Sequence, residues 1–268
     1  MARLPRIPRA PRALTATALA ATVLGATVLG VAGCSGTPTP AATGAAPAFA
    51  DECAGLADGA SPVTFTDAHG AKLNGAVYGK GSTGVVLSHM SDGDICGWMP
   101  YARQLAAGGY RVIVYYFHGF GTSVGGGDGS TLDGDVIAAA GYLRSQGVRT
   151  VALVGASMGA AASLVAATEL QPAPAVVVSL SSPRAYQGAD AIDAVKTLTV
   201  PVLFAAGVAD VEFADDAQAL YDATPASTDR TLLIASSSSH GSALVGAPGS
   251  QVRDALDNAL KQRAPAST

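Results

Sequence analysis

Residues 151–160 constrain this chain more than any other stretch. Val151, Ala152, Leu153 and Val154 are followed by Gly155, Ala156, Ser157, Met158 and Gly159, and then by a run rich in alanine and leucine. The pattern reads as a buried strand, a tight turn and a helix. In that setting G-x-S-x-G makes a nucleophile elbow, in which the turn pushes Ser157 into the open at the end of the strand. A β-carbon at 155 or 159 would crowd the neighbouring backbone, which accounts for the two glycines. The helix start after Ser157 aims free N–H groups at the site and favours negative charge there. The five-residue motif discriminates poorly by itself, because 32 of the 268 residues are glycine. Without its strand and helix it is only a Gly-Ser turn.

The rest of the domain predicts repeated strand–helix units. Segments 62–67 and 72–78 alternate apolar and polar residues around His69 and Gly70, and read as an antiparallel hairpin at a sheet edge. Strands are expected at 84–88, 111–117, 151–154, 175–180, 200–206 and 230–235. Helices are expected at 98–107, 132–146, 160–170, 189–197, 214–222 and 249–263. A hairpin followed by such units implies a mostly parallel, twisted sheet with helices on both faces. Two loops on the edge that carries Ser157 then gain meaning. Asp210 falls just past the end of one core strand, and His240, followed by Gly241, lies in the loop after the next. The helix after Asp210 leaves two alternatives open. Asp210 could simply cap that helix, or Asp215 or Asp216 could supply the carboxylate. Of the other histidines, His69 reads as a turn residue, His118 as structural at a strand end, and His89 as the first residue after the strand that ends at Ser88.

The order Ser157, Asp210, His240, with the Gly155–Gly159 elbow and the Gly207-x-x-Asp210 and His240-Gly241 pairs, resembles the α/β-hydrolase fold family from about residue 60 to 263. The likeness is to its small members without a cap, the dienelactone-hydrolase and esterase type. It implies that Ser157 is the nucleophile, His240 the base and Asp210 the group that orients the imidazole. One oxyanion N–H would come from Met158. The second would come from the loop after Ser88, where many relatives carry His-Gly before the donor. Here the order is His89, Met90, Ser91, so Ser91 is the aligned donor and Met90 the alternative. Only 18 residues, 181–198, separate two strands at the point where relatives insert a cap. An open cleft follows, with Met90, Trp98, Phe120, Met158 and Phe213 as candidate walls. No cofactor is implied. No metal is expected either, because no Cys-x-x-Cys or histidine cluster occurs.

The ends of the chain carry targeting information. Arg3, Arg6, Arg9 and Arg12 precede an apolar run from 13 to 33, the layout of a secretory signal. Val31, Ala32, Gly33 and Cys34 resemble a bacterial lipoprotein box, which implies lipidation of Cys34 and an extracytoplasmic, membrane-anchored protein. An ordinary secreted protein and an uncleaved anchor are the alternatives. Residues 34–50 read as the lipidated cysteine and a Pro/Thr/Ala-rich tether, 51–263 as one domain, and 264–268 as a tail. Cys53 and Cys96 then remain as a pair that an oxidising compartment could join. The alternative is two separate buried thiols. Loss of four arginines with the signal leaves 12 basic against 20 acidic residues, a net charge of −8. That balance argues against nucleic acid as a partner. Three functional readings follow: a serine hydrolase of small carboxylic esters; a peptidase, amidase or acyltransferase with the same residues; or a lipid-anchored binding module without catalysis.

Overall fold

The computed structural model describes residues 53 and 55–266. The signal segment, Cys34, the tether and residues 267–268 lie outside the described residues. One eight-stranded sheet organises the rest. Its strands are β1 (Ser61–Thr66), β2 (Lys72–Tyr78), β3 (Thr83–Ser88), β4 (Arg111–Tyr115), β5 (Thr150–Ala156), β6 (Val176–Leu180), β7 (Val202–Gly207) and β8 (Arg230–Ala235), in spatial order β1-β2-β4-β3-β5-β6-β7-β8. β1 and β2 form the expected hairpin, and β2 also runs antiparallel to β4. Every later pairing is parallel.

The helices are α1 (Met99–Ala107), α2 (Leu132–Ser145), α3 (Met158–Glu169), α4 (Ala191–Ala194), α5 (Val211–Ala223) and α6 (Gln251–Arg263). They cover both faces, and the alternation along the strands shows how. In β4 and the residues after it, Ile113, Tyr115 and Phe117 join the core under α2, α3 and α5. Val112, Val114 and Tyr116 join the core under α1 and α6. Burial on both faces produces the near-continuous apolar strands of the sequence. Between β6 and β7 only α4 and one 3-10 turn (Val195–Thr197) intervene, so no large cap covers the sheet.

The swap of β3 and β4 in the strand order positions the site. From β3 the chain steps outward to β4, then returns to the other side of β3 as β5. The loops leaving β3 and β5 therefore diverge. A crevice opens between them at the C-terminal edge, where α/β sheets bind ligands. Cys53 and Cys96 are joined by a disulfide with their Cα atoms 5.3 Å apart. The bridge ties the start of the described chain to the loop after β3.

Candidate active site

Ser157 sits between β5 and α3 with φ 50° and ψ −118°. Left-handed φ is costly for a serine and persists only where its surroundings enforce it. Here the enforcement is visible. The Ser157 N–H donates to the carbonyl of Leu180 on β6 at 2.8 Å, and the Ser157 carbonyl accepts the N–H of Ala160. A β-carbon at Gly155 would lie 2.2 Å from the Gly159 carbonyl oxygen. One at Gly159 would lie 2.6 Å from the carbonyl oxygens of both Ser88 and His89. Both glycines are thus required by close backbone approach. The Met158 N–H, in the first turn of α3, has no acceptor within its own helix.

Asp210 and His240 are brought together. Nδ1 of His240 and Oδ2 of Asp210 are 2.8 Å apart. Asp210 occupies the N-cap position of α5, yet its side chain makes no capping bond. The carboxylate is committed to the imidazole. Asp216, weighed as an alternative, pairs with Arg184 at 2.6 Å, and Asp215 is exposed on α5. The histidine loop is fixed to the elbow from below. The Gly241 N–H donates to the buried Ser181 Oγ at 3.0 Å. A β-carbon at Gly241 would stand 3.3 Å from the Ala156 side chain, beside Ser157. Among the described residues no hydrogen bond joins Ser157 Oγ to His240.

The loop after β3 is pinned by His89. Its Nε2 accepts the Phe117 N–H at 3.0 Å, so the ring proton is on Nδ1, which donates to the Met90 carbonyl at 2.5 Å. The ring is fully buried and packs edge-on against Phe117 and Phe120. Burial pushes its pKa down to about 4, so it is neutral near pH 7. The Met90 carbonyl also accepts the Gly93 N–H at 3.1 Å, closing a turn over Ser91 and Asp92. Met90, at the position where the sequence reading expected a glycine, does not adopt left-handed φ. Only Ser157, Ser181 and Gln187 adopt it among the described non-glycine residues.

The expected walls separate into two groups. The Phe213 ring lies 4.3 Å from the His240 ring, Phe120 is half-buried against His89, and Met90 is half-buried beside Gly241. Met158 is fully buried and is corrected as a wall. Trp98 is a second correction. It is fully buried, and its indole N–H donates to the Ser88 carbonyl at 3.2 Å, so it offers no surface to a ligand and instead braces the end of β3. Ser181, not singled out from the sequence, carries two signs of a functional position: φ 47° and the bond to the histidine loop. His118 is structural, as expected. Its Nδ1 and its backbone N–H each lie 2.8 Å from Asp135 Oδ2. Among the described residues no cluster of three or more His, Cys, Asp or Glu side chains could hold a metal ion.

No protein-family model matches the sequence, and no curated protein matches it either. Solved structures do match. An esterase from Pyrococcus furiosus superposes with a TM-score of 0.66 at 17% identity, covering 78% of this chain and 94% of that one. A serine hydrolase without a lid from Xanthomonas campestris gives 0.58 at 24% identity, over 79% and 98%. A thermophilic esterase from Thermogutta terrifontis gives 0.61 at 16% identity, over 75% and 98%. The chain has the α/β-hydrolase fold.

Proposed function

We propose that the protein is a serine hydrolase that cleaves small carboxylic esters through an acyl-enzyme. The observation that carries this reading is the Asp210–His240 pair. It stands on a loop packed against Ala156, beside a serine held at left-handed φ. A binding module has no need of a strained serine next to an oriented imidazole.

In this reading His240 Nε2 takes the Ser157 proton as Oγ attacks the ester carbonyl. The negative charge that develops on the carbonyl oxygen is held by the Met158 and Ser91 N–H groups. Collapse expels the alkoxide, which leaves as alcohol with the proton from His240. Water, deprotonated by the same imidazole, then frees the acid and restores Ser157. Asp210 holds the tautomer with the proton on Nδ1 and stabilises the imidazolium. The contact between Ser157 and His240 commonly closes only around substrate in enzymes of this mechanism. Support for esters comes from the missing cap, which suits small or exposed substrates, and from the esterases among the similar structures. Phe213 against the imidazole and Phe120 beside the oxyanion loop supply apolar surface.

The reading includes attachment to a membrane through lipid on Cys34. The disulfide between Cys53 and Cys96 supports an extracytoplasmic site, because such bridges persist in oxidising compartments. The test of the chemistry uses the soluble domain, parent and Ser157→Ala, on p-nitrophenyl acetate and a matched anilide. Ester turnover in the parent, lost in the variant and absent on the anilide, is expected. Anilide turnover at a comparable rate would replace the esterase reading with an amidase one, and a folded but inert parent would leave the binding module.

A further inference from the structure

The side chain of Met90 reaches across from the oxyanion loop to the loop that carries His240. Gly241 has φ 55°, and a β-carbon there would lie 2.4 Å from Met90 Sδ and 3.1 Å from its Cγ. The methionine therefore fills the volume that a side chain at position 241 would take. The Ser242 hydroxyl donates to Sδ at 3.9 Å. The methionine backbone has little freedom, because its carbonyl is held by both the His89 ring and the Gly93 N–H. Met90 packs at the margin of the core under α1 and α6 and is only half-buried there.

We infer that Met90 is a specificity-determining residue that sets the size of the alcohol group the site accepts. The inference rests on the serine hydrolase reading. In that mechanism the leaving oxygen must come within hydrogen-bond reach of His240 to receive its proton. The alcohol portion of the ester is thereby directed toward the His240 loop, whereas the acyl carbon is covalently attached to Ser157. Phe213 occupies one side of the imidazole. The thioether of Met90 lies against Gly241, the residue after His240, and within reach of the Ser242 hydroxyl. Bulk at Met90 thus restricts the alcohol. The acyl chain, which leaves Ser157 in another direction, is restricted by other groups.

The experiment compares two ester series in the folded soluble domain. In one the acyl group is acetyl and the alcohol grows from methyl to naphthyl. In the other the alcohol is p-nitrophenol and the acyl chain grows from acetyl to octanoyl. For Met90→Ala the ratio of kcat/KM on the bulky alcohol to that on the small one should rise about tenfold or more, the range that a few methylenes command in an apolar pocket. Met90→Leu, similar in volume, should keep the parental ratio. Ser242→Leu adds bulk to the same wall and should lower the ratio, which keeps the test alive if Met90→Ala fails to fold. An unmoved alcohol ratio in serine-dependent turnover, or an equal shift in the acyl series, overturns the inference alone. Turnover that survives Ser157→Ala overturns the mechanism and the inference together.

Discussion

Asp210 illustrates how a single residue can be read two ways until its neighbours are known. A carboxylate at a helix start is ordinarily a cap. Its oxygen here goes to His240 instead, and α5 begins without a side-chain cap. Asp210→Asn should preserve the fold but reverse the tautomer preference of the imidazole, lowering kcat by about 10⁴-fold. Asp216→Asn breaks only the surface pair with Arg184 and should leave kcat/KM near that of the parent. Equal losses in the two variants would return the orienting role to the second aspartate. The turn at Ser157 and the meeting of Asp210 with His240 were legible in the sequence, because each residue falls at or soon after the end of a predicted strand. Ser181 was not. A serine after a strand is common, and its left-handed φ and its bond to Gly241 arise only when β6 and the histidine loop meet in space. Trp98 was misread for the complementary reason. An aromatic residue near a loop looks like a pocket wall, and only the bond from its indole to Ser88 shows it to be a brace.

At the scale of elements, strand and helix identity followed from period, but several boundaries moved. The strand expected at 200–206 is Val202–Gly207. Pro201 has no N–H to give to the ladder and so precedes it. The helix expected from 214 starts at Val211, directly after Asp210. Two loops on the C-terminal edge of the sheet are held by buried titrating groups with opposite linkage. Burial pushes His89 down to about 4, whereas an unfolded histidine sits near 6.5. Between those values the unfolded chain binds more protons, so stability falls as pH drops through that window. Asp135, which holds His118 at the start of the loop before α2, is pushed up by burial from 3.8 to about 6. Between 3.8 and 6 the folded state binds more protons, so its contribution rises as pH drops. The two effects offset in the same range. Asp135→Asn removes one of them. From pH 6.5 to 4.5 that variant should lose about 2 kcal/mol more stability than the parent, read from urea unfolding midpoints. Parallel pH profiles for the two proteins would refute this account of Asp135.

At the scale of the whole molecule, one disulfide ties the first described residue to the loop after β3. The Cys53–Cys96 bridge closes a separation of 43 residues and, in the chain-entropy account, stabilises the fold by about 4 kcal/mol. The lipoprotein reading makes Cys34 the attachment point. Cys34→Ala should then move the protein from the membrane fraction to the soluble fraction or leave it unprocessed. Labelling with a fatty-acid probe that persists in the variant would contradict the lipoprotein reading. The architecture of the molecule was legible as a hairpin followed by strand–helix units. The β3–β4 exchange that opens the crevice was not, because strand order depends on pairing partners that no local pattern encodes. The central claim is that Ser157 is the nucleophile, and the most direct measurement is covalent capture. The soluble domain would be treated with a fluorophosphonate, digested, and the adduct located by mass spectrometry. The account predicts one adduct, on Ser157, abolished in His240→Ala as well as in Ser157→Ala. No adduct on a folded protein, or an adduct on a different serine, would contradict it.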